Sequence, residues 1–104
     1  MTEVTFTAPL LGWTGSENML ATYCELPEAV GKQVADHEIH QRILTGKRRG
    51  FGSVKVEATI GDSTWSTSLF KQKSGVWFLP VKAAVRRVEG LEEGDEVTAT
   101  MTLL

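Results

Sequence analysis

Val54-Lys55-Val56-Glu57-Ala58-Thr59-Ile60, then Gly61-Asp62, then Ser63-Thr64-Trp65-Ser66-Thr67-Ser68-Leu69-Phe70 is the stretch that decides the fold. Val54, Val56, Ala58 and Ile60 alternate with Lys55, Glu57 and Thr59. Period two with one apolar face is the pattern of a half-buried strand. Gly61-Asp62 sits where a tight turn is needed. Ser63 to Phe70 is rich in Ser, Thr and aromatics, as strands are. Two such runs around a two-residue turn make a β-hairpin.

Towards the C-terminus the β reading continues. Val76 to Leu79 is a short, continuous apolar run, read as a strand covered on both faces. Pro80 is expected to stop it and open a helix, because a residue without an N–H is tolerated at the first helical position. Val81, Ala84, Val85 and Val88 then fall at helical spacing and form one buried stripe, with Lys82, Arg86 and Arg87 away from it. Gly90 is placed to end that helix. After the turn Leu91 to Asp95, Val97, Ala99, Met101 and Leu103 alternate with Thr98, Thr100 and Thr102 in a last strand.

Towards the N-terminus, Val4, Phe6, Ala8 and Leu10 alternate with Glu3, Thr5 and Thr7 in a first strand. Gly12 to Asn18 reads as a hairpin loop, and Met19 to Leu26 as a second strand, apolar on both faces. Pro27 with Glu28 behind it opens a helix to about Leu44. Val30, Val34, His37 and Gln41 share one face, and Gly31 or Asp36 is a candidate break. Six short strands joined by glycine turns, with two helices, predict a mainly β domain spanning 1–104. A small closed or nearly closed barrel removes the exposed sheet edges, with a sandwich as the alternative.

Several pieces, taken together in their order and spacing, resemble one bacterial family. They are Arg49-Gly50-Phe51-Gly52-Ser53-Val54-Lys55-Val56, Ile60-Gly61, Thr67-Ser68-Leu69-Phe70, Leu79-Pro80-Val81-Lys82, Val85-Arg86 and Gly94-Asp95-Glu96-Val97. That family consists of small β-barrels of unknown function, often joined to a YdeI/OmpD-associated C-terminal segment. The resemblance implies a six-stranded pseudo-barrel of the double-split type, an architecture shared with AbrB- and MazE-like transcription factors. Lys71 stands where the family pattern leads one to expect a proline. The sequence ends at Leu104, before any such C-terminal segment. The resemblance implies no catalytic residue.

Bulk properties narrow the function classes. Hydrophobic residues make up 41% of the 104 and charged residues 23%, enough apolar material for one core, so wholesale disorder is excluded. A single cysteine, Cys24, allows no internal disulfide, and the N-terminus lacks the features of a secretory signal. No apolar run approaches a membrane span. The expected setting is the cytoplasm, without a membrane partner. The net charge of −2 conceals a division. Residues 42–87 carry ten cations against two acids, net +8, while the rest carries one lysine against eleven acids, net −10. Such a division suits an anionic partner, or mutual neutralisation within the fold or across a homo-oligomer contact.

The candidate anion-binding residues are Lys47, Arg48 and Arg49 in the glycine loop, with Lys82 and Arg86 one helical turn apart. Glycines permit close backbone approach, and arginine offers planar, bidentate donors to phosphate or carboxylate. The loop lacks Walker spacing, so no nucleotide fingerprint applies. The plainer reading is a solvated basic turn. Trp13 and Phe51 are the aromatics expected at the surface, where they can wall a cleft beside the arginines; Trp65, Phe70, Trp77 and Phe78 are expected in the core. Asp36, His37 and His40 lack further metal ligands and read as a polar helix surface. Cys24 reads as a buried, inert thiol. The carboxylates Asp62, Glu92, Glu93 and Asp95 sit in turns, which seldom supply a shared cleft. The expectation is a non-catalytic binding module without cofactor, for a small anion or an acidic protein surface. The alternative is an AbrB-like nucleic-acid binder acting as a dimer.

Overall fold

The computed structural model describes residues 2–14, 20–46 and 52–104. Its elements are β1 (Thr2–Thr14), β2 (Leu20–Glu25), α1 (Glu28–Thr45), β3 (Val54–Ile60), β4 (Ser63–Lys71), β5 (Trp77–Val81), α2 (Ala83–Val88) and β6 (Glu96–Leu103). The strands close into one antiparallel barrel in the order β1-β2-β5-β4-β3-β6. The mainly β barrel with two helices is therefore the fold, and the sandwich is excluded.

Closure depends on two strands that change partner along their length. Thr2 to Pro9 of β1 pair with β6, and Leu10 to Thr14 pair with β2. Ser63 to Leu69 of β4 pair with β3, whereas Phe70 and Lys71 pair with Phe78 and Trp77 of β5. Each half of the chain runs strand, strand, helix, strand. Exchanging the halves leaves the ring order unchanged, so the barrel has a pseudo-twofold arrangement although no repeat is visible in the sequence. The halves are unequal. The β1–β2 ladder holds five residue pairs, and the β4–β5 ladder holds two.

The alternating residues fill the barrel as their period requires. Val4, Phe6, Ala8 and Leu10 meet Val56, Ala58, Leu69, Leu79, Val97, Ala99 and Met101 inside, all buried. Trp65 and Trp77 are buried as well, and each helix contributes one buried side chain, Val34 and Val85. α1 follows β2 and lies at the Trp77 end of β5, where the Leu26 N–H donates to the Trp77 carbonyl at 2.8 Å. α2 leaves from the Val81 end.

Several expectations need correction. β1 does not turn at Gly12 but continues to Thr14, with Gly12 paired to Thr22. A Cβ at Gly12 would lie 2.7 Å from Glu93 Oε1 and 2.9 Å from Leu20 Cδ1, so this glycine makes room for neighbouring side-chain ends. α1 runs unbroken through Gly31 and Asp36. Pro80 opens no helix; it lies inside β5, paired with Tyr23. The ladder to β4 has already ended at Phe78, so a residue without an N–H removes no bond on that side. α2 consequently starts at Ala83 and is only six residues long. A stripe over Val81 to Val88 cannot form: Val81 is a strand residue, Ala84 is exposed and Val88 is 74% exposed. α2 does end at Gly90, whose φ is +65°. The Leu91 N–H reaches the Arg86 carbonyl at 2.9 Å and the Gly90 N–H that of Arg87 at 3.3 Å, a Schellman closure.

Leu79→Ala, at a site with no exposed surface, is expected to lower unfolding free energy by about 2–5 kcal/mol. Val88→Ala is expected to stay within about 0.5 kcal/mol of wild type. Urea titration of both variants checks this.

Candidate functional site

The outer surfaces of the barrel differ in chemistry. Around β6 the outward residues are Glu3, Lys55, Glu57 and Glu96 among threonines hydrogen-bonded across strands: Thr5 with Thr100 at 3.0 Å, Thr7 with Thr98 at 2.9 Å, and Thr59 with Thr64 at 2.9 Å. That is an ordinary solvated sheet face. Around β2 and β5 the outward residues are Trp13, Tyr23, Phe78, Pro80 and Phe70. Tyr23 and Phe78 meet edge to face at 5.5 Å, and Phe70 lies 5.9 Å from Phe78. Trp13 is 64% exposed. Phe70 is exposed and Phe78 half-buried on the outer face, contrary to their expected place in the core.

A cleft of about 320 Å³ opens in this aromatic surface, lined by Trp13, Ala21, Thr22, Tyr23, Gln72, Phe78 and Pro80. Gln72 closes its polar end by donating from Nε2 to Glu25 Oε2 at 3.0 Å. A second hollow of about 360 Å³ lies where β4 parts from β5. Leu20, Trp65, Ser66, Thr67, Val81, Lys82 and Ala83 line it, and it shares Ala21, Thr22 and Pro80 with the first. The short β4–β5 ladder creates this second hollow, since beyond Phe70 and Phe78 the two strands no longer bond.

The floor shared by the two hollows carries a polar pin. The buried Thr22 hydroxyl donates to the Val81 carbonyl at 2.7 Å and accepts from Arg86 Nη1 at 3.2 Å. The remaining guanidinium donors of half-buried Arg86 meet no carboxylate among the described residues. Lys82 is exposed at the helix start. The far end of α2 is held separately: Ser63 Oγ donates to Glu89 Oε2 at 2.6 Å, and Glu89 packs over Gly61, whose φ of +57° forms the β3–β4 turn.

The predicted site residues are distributed as follows. Trp13 lines the first hollow and Lys82 the second, which share Ala21, Thr22 and Pro80; Arg86 lines neither and reaches only Thr22. Lys47, Arg48, Arg49 and Phe51 lie outside the described residues. The aromatic wall that pairs with Trp13 is formed by Tyr23 and Phe78. Sequence reading placed Phe78 in the core and passed over Tyr23, although the unbroken apolar run of β5 and the two-sided apolar pattern of β2 were the available signal. Among the described residues the oppositely charged segments meet in one ion pair, Arg42 with Glu38 at 3.6 Å, one turn apart on α1.

Other candidates lie elsewhere. His37 Nε2 donates to the Leu104 carbonyl at 3.1 Å. No group of three or more potential metal-ligating side chains gathers among the described residues. Cys24 is fully buried inside the barrel, and burial pushes its thiol up to about 11. A further hollow of about 490 Å³ beside α1 holds Lys32 and Lys71 but also Glu28, so its charge is mixed.

The family model described as "Domain of unknown function (DUF1905)" matches residues 6–101. The chain belongs to that family. The DUF1905 match reaches all six strands and includes the whole aromatic cleft, Lys82 and Arg86. No curated protein matches the chain. Among the described residues no helix is long and apolar enough to cross a membrane.

Two outcomes follow from the buried polar and titratable groups. Thr22→Val removes the hydroxyl and strands the Val81 carbonyl and Arg86, so it is expected to destabilise by about 1–3 kcal/mol, with Thr22→Ser recovering most of the loss on urea denaturation. Cys24 ionises more easily unfolded, near 8.5–9, than folded, near 11. Its stabilising contribution is full below the unfolded value and falls as pH rises towards the folded one, by roughly 2 kcal/mol. Cys24→Ala is therefore expected to lose less stability than wild type between pH 9 and 11, measured by denaturant midpoints across that range.

Proposed function

We propose that this domain is a non-catalytic binding module for an anionic ligand, a phosphate or carboxylate, held at the hollow between β4 and β5. The observation that carries the reading is Arg86: half-buried, bonded to Thr22 of the hollow's lining while not lining it itself, and free of any carboxylate among the described residues. An arginine so placed retains most of its planar donor set for a ligand. Lys82 at the rim adds a flexible cation, and the hydroxyls of Ser66 and Thr67 add neutral donors. Lys47, Arg48 and Arg49 join the proposal on their charge and sequence alone.

The non-catalytic part of the reading is supported by what lies near the groove. The one thiol is buried and pushed up to about 11. Both histidines are on α1, at the other end of β5. A net charge of −2 weighs against a nucleic-acid backbone as the ligand, since that binding rests on neutralising many phosphates.

The test is a thermal-shift and calorimetric titration with inorganic phosphate, pyrophosphate and citrate at low and moderate salt. A ligand that binds only the folded chain raises Tm. Binding by at least one of these anions is expected, weakened fivefold or more in Lys82→Gln and in Arg86→Gln. Absence of any anion-dependent shift, or a shift indifferent to both substitutions, rejects the reading. A loss of similar size in Arg48→Gln/Arg49→Gln extends the site to the glycine loop, and its absence confines the site to α2.

A further inference from the structure

We propose that the aromatic cleft over β1, β2 and β5 is a site for a small quaternary ammonium ligand, held against the rings of Trp13, Tyr23 and Phe78 with the Glu25 carboxylate as its counter-charge. This site is separate from the anion hollow and uses neither Lys82 nor Arg86.

Strand register puts the aromatic residues on one face. Burial alternates along β2: Thr22 and Cys24 are buried, whereas Tyr23 and Glu25 are half-buried on the outer side. Tyr23 pairs with Pro80 and Glu25 with Phe78, so these four residues share the outer surface of the β2–β5 ladder. Trp13 pairs with Ala21, two residues before Tyr23, and joins that surface from β1. All three aromatic residues line the cleft of about 320 Å³, a size that suits a small ligand. Tyr23 and Phe78 are fixed edge to face, with ring centroids 5.5 Å apart.

Charge then selects the class of ligand. No cationic side chain lines the cleft. Lys71 pairs with Trp77 and stands 5.9 Å from the centroid of that ring, on the other face of the β4–β5 ladder from Phe70 and Phe78. The charge at the polar end of the cleft is negative. Gln72, part of the lining, donates to Glu25 Oε2 at 3.0 Å and holds the carboxylate across from Phe78. Glu25 forms no ion pair among the described residues. The face of an aromatic ring is the negative part of its quadrupole and attracts a cation. Rings and carboxylate therefore act with one sign, favouring a cation and repelling an anion.

The lining also separates one kind of cation from another. A primary ammonium carries three N–H donors, and a wall of rings cannot replace the water they give up. A quaternary ammonium has no donor to satisfy, and its methyl groups gain from leaving water. A neutral apolar molecule gains the same area without the charge.

The experiment is isothermal titration of the full chain with choline, with dimethylbutanol (its uncharged carbon isostere) and with ethanolamine, which keeps the charge without the methyl groups. Choline is expected to bind about tenfold or more tightly than either. Trp13→Leu, at a position 64% exposed and so outside the core, is expected to reduce that advantage to below about threefold, with Trp13→Phe retaining part of it. Glu25→Gln preserves a hydrogen-bonding partner for Gln72; it is expected to weaken choline about threefold or more and to leave dimethylbutanol unchanged. Lys82→Gln and Arg86→Gln are expected to leave choline binding as it is, so this site and the anion hollow stand or fall separately. Equal binding of choline and dimethylbutanol makes the cleft simply apolar and overturns the proposal. An advantage that survives Trp13→Leu, or choline binding lost in Lys82→Gln, overturns it by placing the cation elsewhere. Absence of choline binding overturns it as well.

Discussion

The structure depends on two strands that serve two sheets each. A six-stranded sheet can close only if its strands tilt and its ladders stagger, and here the stagger is taken up by β1 and β4 changing partner part-way along. Pro9 marks the change in β1. It is the last residue of the β6 ladder, Leu10 is the first of the β2 ladder, and the Leu10 N–H is held by the Asp95 carbonyl at 2.8 Å. A proline at such a junction removes a donor where the ladder is changing hands anyway. In β4 the change falls at Leu69 and Phe70. Because its second ladder has two pairs rather than five, the seam between β4 and β5 parts early and leaves the hollow that receives Lys82.

Closure also explains why one outer face is free to be aromatic. A barrel needs only its interior to be apolar, and the inward residues of the six strands already form a continuous buried core. The outer surface is then under no packing demand from the fold. Around β6 it is threonine, which pairs across strands, with exposed Glu3, Lys55, Glu57 and Glu96 between. Around β2 and β5 it is Trp13, Tyr23, Phe78 and Phe70, whose outward placement contributes nothing to the interior. An aromatic cluster that the core does not use, beside cations that no described carboxylate answers, is the reason to place function there. Membership of the DUF1905 family fixes kinship without supplying a role, so the chemistry of that face carries the functional argument.

Much of the fold was legible in the sequence because its strands alternate cleanly. β3, β4 and β6 have one inward and one outward set of residues, and a period-two pattern states which is which. β5 is different. Trp77, Phe78, Leu79, Pro80 and Val81 are apolar at every position, so periodicity cannot distinguish a strand buried on both faces from one whose outer face is left uncovered. The same ambiguity hid Tyr23 on β2. Pro80 misled for a related reason: its effect depends on which neighbouring strand would have accepted its missing N–H, and that is a property of the ring order. The loop cations Lys47, Arg48 and Arg49 drew attention by their run of charge, whereas Arg86 gains its standing from Thr22, 64 positions away in the chain.

That long-range contact ties the fold to the site. α2 has six residues, too few to be stable by itself, since helices below about 12–15 residues are marginal in isolation. It persists because tertiary contacts hold it at three places. Val85 is buried in the core, Glu89 is fastened to Ser63 over the β3–β4 turn, and Arg86 is fastened to Thr22. The guanidinium thus has two duties. One of its donors helps to order the helix, and the donors that remain are oriented by that same bond. A lysine in its place could supply charge, but not a fixed plane of donors pinned at one corner and open at the others. Thr22 in turn satisfies the Val81 carbonyl at the last pair of the β2–β5 ladder, next to the point where β5 gives way to α2. The hydroxyl that finishes the barrel seam is therefore the same group that aims the cation, and the orientation of Arg86 is a consequence of how the barrel closes.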